Sequence, residues 1–134
     1  MRTRADGYLA SQMMTEPAVP TLAQVAERAA AVCDPERAND AVADFLRRLE
    51  DRDEPITALA DVEREIAEVT GMIDPEGEDP ALAMAGAVTV YLAHRRDEVN
   101  DDRRDVLILA TRAEFDGRPP GPVADWLAAQ GVSL

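Results

Sequence analysis

Apolar and polar residues follow a helical period along most of the chain, and one stretch departs from it. Between Pro80 and Ala93, apolar or small residues fall on every side of a helix, and Asp79 precedes the stretch as an N-cap with proline at the first helical position. The segments before and after it keep polar residues on one face. We therefore expect a buried central helix over about residues 80–96, with the other helices packed around it.

Five further segments have apolar residues spaced three and four positions apart, as on one face of a helix. Runs of alternating β-branched and aromatic residues, which would indicate strands, are missing. The sequence thus predicts an all-α fold, a bundle of five to six helices forming one domain over residues 21–134. The five segments are 21–33, 35–50, 57–70, 101–115 and 122–130.

Signals at the ends of these segments support the boundaries. Thr21 and Gln24 have the spacing of a capping box at the first helix. Gly71 is placed to end the third helix in the left-handed conformation, and Gly117 and Gly131 are placed in the same way after the last two.

The first 20 residues show no sustained periodicity and end in a proline-bounded segment, so we expect a flexible N-terminal arm over residues 1–20. Apolar residues within it have roughly helical spacing, namely Tyr8, Leu9, Met13 and Met14. Two interpretations stay open for the arm: an ordinary disordered tail, or a short segment that folds onto a partner or onto a second copy of the chain.

Alanine dominates the apolar composition, with 24 of the 134 residues. Small side chains with high helix propensity favour helices that pack at close range. Gly86 lies in the middle of the central segment, where glycine costs up to about 1 kcal/mol relative to alanine. We expect this glycine to mark the closest approach of a neighbouring helix.

The chain is strongly acidic, with 27 Asp and Glu against 14 basic residues, all of them Arg, and a net charge of −13. Such a balance argues against direct binding of nucleic acid or of an anionic membrane surface. The central segment would rise only about 22 Å as a helix, less than the hydrocarbon core of about 30 Å. With a single cysteine and no signal peptide, a cytoplasmic location is expected.

The acidity is concentrated between the helices. Residues 50–54, 74–79 and 97–102 carry net charges of −3, −4 and −4, which together make up −11 of the total. If consecutive helices run antiparallel, the first and third of these turns meet at one end of the bundle. We hypothesise that this end docks a basic surface of another protein. The candidate partner-binding residues are Asp51, Asp53, Glu54, Asp97, Glu98, Asp101 and Asp102.

A halophilic habit or a need for solubility would also account for the acidity. The absence of Lys together with abundant Ala, Arg and Asp is typical of a GC-rich genome. An enzymatic alternative rests on two acidic pairs, Glu65 with Glu68 and Glu98 with Asp101. These pairs resemble those of the all-α nucleoside triphosphate pyrophosphohydrolases, and the resemblance implies carboxylates that hold Mg²⁺ against phosphates. In a simple up-and-down bundle the two pairs do not meet, so this alternative needs a different topology or a dimer.

Further candidate chemistry is sparse. Cys33 falls on the inner face of the first helix, and His94 lies near the C-terminal end of the central one, where a protonated imidazole suits the helix dipole. Residues 74–85 fail the calcium-loop template at its glycine and its final glutamate. Trp126 is expected either to lock the last helix onto the bundle or to anchor a partner.

These observations predict a small acidic, non-enzymatic protein-binding module that needs no cofactor. The possible roles are an inhibitor or immunity-type partner, a chaperone, or a subunit of an assembly, and homo-oligomerisation is a further expectation.

Overall fold

A computed structural model of the chain describes residues 19–95 and 102–133. In these residues the fold is all-α, as predicted, with no strand and with one short 3₁₀ helix at Ile56–Ala58. No helix in the described part of the chain is long and apolar enough to cross a membrane. The expected N-terminal arm falls outside the described residues up to position 18. The α-helices are α1 (Leu22–Cys33), α2 (Asp40–Leu49), α3 (Val62–Ile73), α4 (Pro80–His94), α5 (Arg103–Phe115) and α6 (Gly121–Ala129).

The central helix of the bundle is α4, which confirms the prediction for this segment. From Ala81 to Ala93 every residue except Ala83 is buried. Each of the other five α-helices packs against α4. The carboxylate of Asp79 accepts a hydrogen bond from the backbone N–H of Leu82 at 3.1 Å and caps the helix as expected.

Helix α3 packs tightly against α4 at Gly86. A Cβ atom built on this glycine would lie 3.1 Å from Cγ2 of Thr70 and 3.3 Å from Cγ2 of Ile66, both on α3. A Cβ atom here would force the side chains of α3 to shift by a few tenths of an ångström, so glycine in the middle of this buried helix allows α3 to pack closely.

The start of α1 is bound to the connection between α2 and α3. Thr21 and Gln24 form the predicted capping box. In addition, the backbone N–H of Leu22 donates to the carbonyl of Glu54 at 3.0 Å, and that of Ala23 donates to the carbonyl of Arg52 at 3.1 Å. These bonds satisfy N–H groups that a helix N-terminus otherwise leaves unpaired. Residues 50–56 therefore lie at the N-terminal end of α1.

The direction of α5 differs from the expectation of antiparallel neighbours. Arg103, its first residue, donates from Nε to the carbonyl of Val32 at 2.5 Å and from Nη2 to Oε1 of Gln130 at 2.8 Å. The start of α5 thus lies at the C-terminal end of α1, where α4 also begins. The end of α4 lies at the other end of the bundle, since His94 and Asp61 line one cavity. Helices α4 and α5 therefore run in the same direction.

Two helix starts were predicted too early. Helix α2 begins at Asp40 instead of residue 35, because the turn before it is held by side-chain hydrogen bonds. Helix α3 begins at Val62 instead of residue 57, with Asp61 as its N-cap. Residues 56–58 form the 3₁₀ turn.

The predicted end of the third helix at Gly71 is also wrong. Helix α3 continues through Gly71 to Ile73, and Asp74, followed by a proline, ends it. Met72, next to Gly71 in this last turn, is 62% exposed.

Replacing Gly86 with Ala should lower the free energy of unfolding by about 1 kcal/mol, because overpacking against α3 outweighs the gain in helix propensity. Adding Thr70→Ser, which removes the Cγ2 atom 3.1 Å away, should recover part of the loss. Urea denaturation of the single and double variants measures both effects.

Gly71→Ala is the matched control, because this glycine is helical and nothing lies within 4 Å of its added Cβ. This variant should be more stable than wild type by up to about 1 kcal/mol. Equal effects at the two glycines would contradict the close contact of α3 with α4.

Candidate protein-binding surface

Two turns of the same conformation connect α1 to α2 and α3 to α4. They span residues 34–39 and 74–79, each begins with the sequence Asp-Pro-Glu, and they lie 40 positions apart. The fourth residue of each has a positive φ, 56° at Arg37 and 66° at Gly77. Its backbone N–H donates to the carbonyl of the first residue, at 3.0 Å in one turn and 3.1 Å in the other.

The aspartate that opens each turn binds the backbone ahead of the next helix. Asp34 accepts hydrogen bonds from the N–H groups of Ala38 and Asn39, both at 3.0 Å. Asp74 accepts one from the N–H of Asp79 at 2.8 Å. Short carboxylate side chains form such bonds readily outside helices. Each turn is therefore closed by its own side chain.

The last residues of the two turns bond to each other. Asn39 and Asp79 are the N-caps of α2 and α4, accepting from the N–H groups of Val42 at 2.9 Å and Leu82 at 3.1 Å. The Nδ2 group of Asn39 also donates to the two carboxylate oxygens of Asp79, at 3.3 and 3.2 Å. This contact holds the two turns side by side at one end of the bundle.

Trp126 of α6 lies at the same end. Its indole is half-buried and packs against the core, as expected for a residue that locks the last helix. It also lines two surface cavities, one of about 440 Å³ beside the first turn and one of about 580 Å³ beside the second. The tryptophan thus separates two concave sites, each bordered by one of the turns.

We call the surface formed by residues 34–40, residues 74–79 and Trp126 the acidic end. It holds seven carboxylates and a single arginine, Arg37. Four of the carboxylates are exposed and take no part in closing the turns, namely Glu36, Asp40, Glu76 and Glu78. The seven are Asp34, Glu36, Asp40, Asp74, Glu76, Glu78 and Asp79.

Three of the predicted partner-binding residues lie at the opposite end of the bundle. Asp51, Asp53 and Glu54 are exposed beside the start of α1. Glu54 is paired with Arg52, whose Nε lies 3.0 Å from the carboxylate, and this hydrogen bond lowers the pKa of Glu54. Part of the negative charge expected for this end is therefore neutralised within the protein.

Asp102, a fourth predicted partner-binding residue, does not lie beside these three. Asp102 caps α5 by accepting from the N–H of Arg104 at 3.2 Å. Because the neighbouring Arg103 reaches Val32, this carboxylate lies at the far end of α1 from residues 51–54. The expectation that the two turns meet at one end is wrong for Asp102. Asp97, Glu98 and Asp101 lie outside the described residues.

The paired carboxylates of the magnesium alternative are not assembled in the described part of the chain. Glu65 accepts a hydrogen bond from Nη2 of Arg52 at 2.6 Å, so its charge is already compensated. Glu68 is exposed one turn further along α3. Among the described residues, no group of three or more His, Cys, Asp or Glu side chains could hold a metal ion.

Cys33 and His94 occupy the places expected from the sequence. The thiol of Cys33 is buried at the end of α1, and burial raises its pKa, an effect that the nearby Arg103 opposes only in part. The thiol is therefore protonated and a poor nucleophile. His94 is exposed in the last turn of α4.

The pairing of the turns is not among the features predicted from the sequence, although a signal for it is present. The Asp-Pro-Glu sequence occurs twice at a spacing of 40, with an N-cap residue five positions after each aspartate. A search for internal repeats finds such a spacing. Because the second helix was predicted to start at residue 35, inside the first Asp-Pro-Glu sequence, the equivalence of the two turns was missed.

Glu114, near the end of α5, is a carboxylate whose pKa is raised. Removal of solvent by the surrounding protein is the main cause, and repulsion by Glu63 on α3 adds to it. Its proximity to the first turn of α3 agrees with the direction of α5 given above.

Exchanging the residue types at the positive-φ positions of the turns should change stability in opposite directions. Arg37→Gly should raise the free energy of unfolding by about 0.5–1 kcal/mol, because glycine adopts this conformation without strain. Gly77→Arg should lower it by a similar amount. Urea denaturation of both variants checks the pair, and effects of the same sign would contradict the equivalence of the turns.

Glu114→Gln should stabilise the protein at neutral pH and leave it unchanged at low pH. A raised carboxyl pKa means that the folded state binds the proton more tightly, so stability falls as pH rises through that pKa. The gain at about pH 7 should stay below about 1 kcal/mol, because solvent screens exposed charges.

Urea denaturation at about pH 7 and about pH 3, on either side of the glutamate pKa, measures this difference. The gain should shrink in a Glu63→Gln background, because the repulsion is then already gone. A gain that is equal at both pH values would contradict the assignment.

Comparison of the chain with protein-family models, with curated proteins and with solved structures found no match.

Proposed function

We propose that the protein is a binding module for a basic protein partner and that the acidic end is its docking surface. The observation that carries the proposal is the hydrogen-bonded contact of Asn39 with Asp79, which places two acidic turns side by side next to Trp126. The class of partner is the one expected from the sequence, whereas the surface lies at the other end of the bundle from residues 51–54.

The chemistry of the acidic end suits Lys and Arg side chains. A partly exposed indole offers a face over which a cation is attracted, and the apolar stem of Lys or Arg can pack along the ring. Carboxylates of the adjoining turn can then accept charge-assisted hydrogen bonds from the ammonium or guanidinium group. Since a cavity lies on each side of Trp126, two basic side chains of one partner can be bound.

The charge of the whole chain supports the same partner class. A net charge of −13 attracts a basic protein over a distance of about one Debye length, which raises the rate of encounter. Exposed carboxylates at Glu36, Glu76 and Glu78 concentrate that field at the acidic end. Binding of this kind should weaken as salt concentration rises.

A matched pair of triple variants tests which end binds. One variant carries Glu36→Gln, Glu76→Gln and Glu78→Gln at the acidic end. The other carries Asp51→Asn, Asp53→Asn and Glu54→Gln at the opposite end. Both remove three negative charges, so the net charge is equal and only its location differs.

We expect a polyarginine peptide to change the fluorescence of Trp126, the only tryptophan of the chain, when it binds. The acidic-end variant should bind roughly tenfold more weakly at low salt, because three exposed charge pairs are lost. The opposite-end variant should bind like wild type. Equal weakening in both variants would show that binding depends only on net charge, which would contradict the proposed surface. Weakening only in the second variant would place docking at residues 51–54.

Co-purification from the native host, followed by mass measurement of the bound protein, tests the partner itself. The acidic-end variant should lose the partner that wild type retains, and that partner should be basic. Retention of the same protein by both triple variants would contradict the proposed surface.

A further inference from the structure

A groove of about 430 Å³ lies between α1 and α2 and leads along the bundle to the acidic end. Ala23 and Glu50 line it where α1 begins, and Asp34 and Arg37 line it where α1 ends. Its apolar lining consists largely of small side chains, so the two helices leave a concavity between them. The apolar lining residues are Ala23, Ala30, Val42, Ala43 and Leu46.

Five charged side chains border the groove, and two of them are already bonded within the chain. Arg47 pairs with Asp44 at 3.3 Å, and the carboxylate of Asp34 closes its own turn. An occupant of the groove should therefore be apolar on the side that it buries, and it should not be acidic. The five charged residues, three acids and two Arg, are Glu27, Asp34, Arg37, Arg47 and Glu50.

We propose that this occupant is a segment of the same chain, residues 5–14, bound as a helix antiparallel to α1. These residues lie outside the part of the chain that the structure describes. The chain enters α1 beside the groove, because Thr21 caps the helix by accepting from the N–H of Gln24, a lining residue, at 3.2 Å. A tethered segment has an effective concentration of about the millimolar range, and it loses less translational freedom on binding than a separate protein does.

The segment has the length that the groove requires. Ala23 and Asp34 lie 11 positions apart, which is about 17 Å along α1, and a helix over residues 5–14 spans about 14 Å. Pro17 ends such a helix. Residues 15–18 then remain for the reversal of direction. Extended, these four residues span about 13 Å, more than the distance of about 8–10 Å between the axes of packed helices.

The apolar side chains of the segment suit a groove lined by small ones. Leu9 and Met13 are four positions apart and share one face of a helix, with Tyr8 beside Leu9. Large side chains fill the spaces that small ones leave between packed helices, and methionine adapts readily to an irregular surface. Docking would therefore bury apolar surface on both the segment and the groove.

The charge of the segment is complementary to its surroundings. Residues 1–14 contain two basic residues and one acid, Arg2, Arg4 and Asp6, in a chain with a net charge of −13. In the antiparallel orientation Arg2 and Arg4 reach the end of the groove where the first acidic turn begins. A second whole chain would instead bring a further −13 to this surface.

Hydrogen exchange of the whole chain, followed by mass spectrometry, tests the docking. The amides of residues 8–14 should exchange at least about tenfold more slowly than those of a free peptide of residues 1–18. Ala43→Glu places a charge in the groove and Leu9→Asp places one on the docking face, so each should remove most of this protection. The double variant should lose no more than the single ones, because both substitutions break one contact.

Two substitutions of the same kind away from the contact are the controls. Ala67→Glu lies at an exposed position of α3, outside the groove. Ser11→Asp lies two positions after Leu9, and therefore about 200° around the segment helix, on its opposite side. Both controls should keep the protection of wild type within about twofold. Unchanged exchange of the α4 amides verifies that the bundle stays folded in every variant.

Exchange of the wild-type segment at the rate of the free peptide would overturn the proposal, as would an equal loss of protection in the controls. Protection that Ala43→Glu leaves unchanged would place the segment at another surface. Protection that rises with protein concentration would show that the segment binds a second copy, and both results contradict the proposal. No basic partner is present in this measurement, so its outcome does not depend on the proposed function.

Discussion

The fold depends on covering α4 from every side. Its residues from Ala81 to Ala93 are apolar or small in all directions, so the helix is stable only when neighbours surround it. Each large apolar side chain buried there contributes about 1.5–3 kcal/mol relative to exposure. The other five helices meet this need, and Gly86 lets α3 pack more tightly than a side chain at that position would allow without a shift. What remains for recognition is the surface of the surrounding helices and the turns between them.

A unit made of a helix and the turn that follows it occurs twice in the structure. Helices α1 and α3 each have 12 residues, and the turns after them share a positive-φ residue and a closing aspartate. The two helices differ in sequence, so they do not show the repetition. The two turns are similar in sequence because their backbone conformation restricts the residue types. Since equivalent turns lie at equivalent ends of their helices, the contact of Asn39 with Asp79 brings their charges onto one surface. The acidic end thus results from the repetition.

Features governed by neighbouring residues could be predicted from the sequence, whereas those governed by distant ones could not. The capping box at Thr21, the buried α4 and the close contact at Gly86 follow from local composition and spacing. The direction of α5 depends on Arg103 binding a carbonyl 71 positions earlier, which no local pattern reveals. None of the candidate partner-binding residues named from the sequence belongs to the acidic end. The acidity of residues 74–79 is evident from the sequence, but Asp34 before a proline has the pattern of a helix N-cap, and only the structure shows it closing a turn.

The place of Cys33 has a consequence for observing motions of the bundle. Its sulfur is enclosed at the end of α1 and holds its proton firmly, so a thiol reagent can modify it only during moments when this end of the helix separates from its neighbours. As the chain contains one cysteine, the rate of its modification reports a single opening event. The protein therefore carries an intrinsic probe of how often the end of α1 that begins the first acidic turn comes loose.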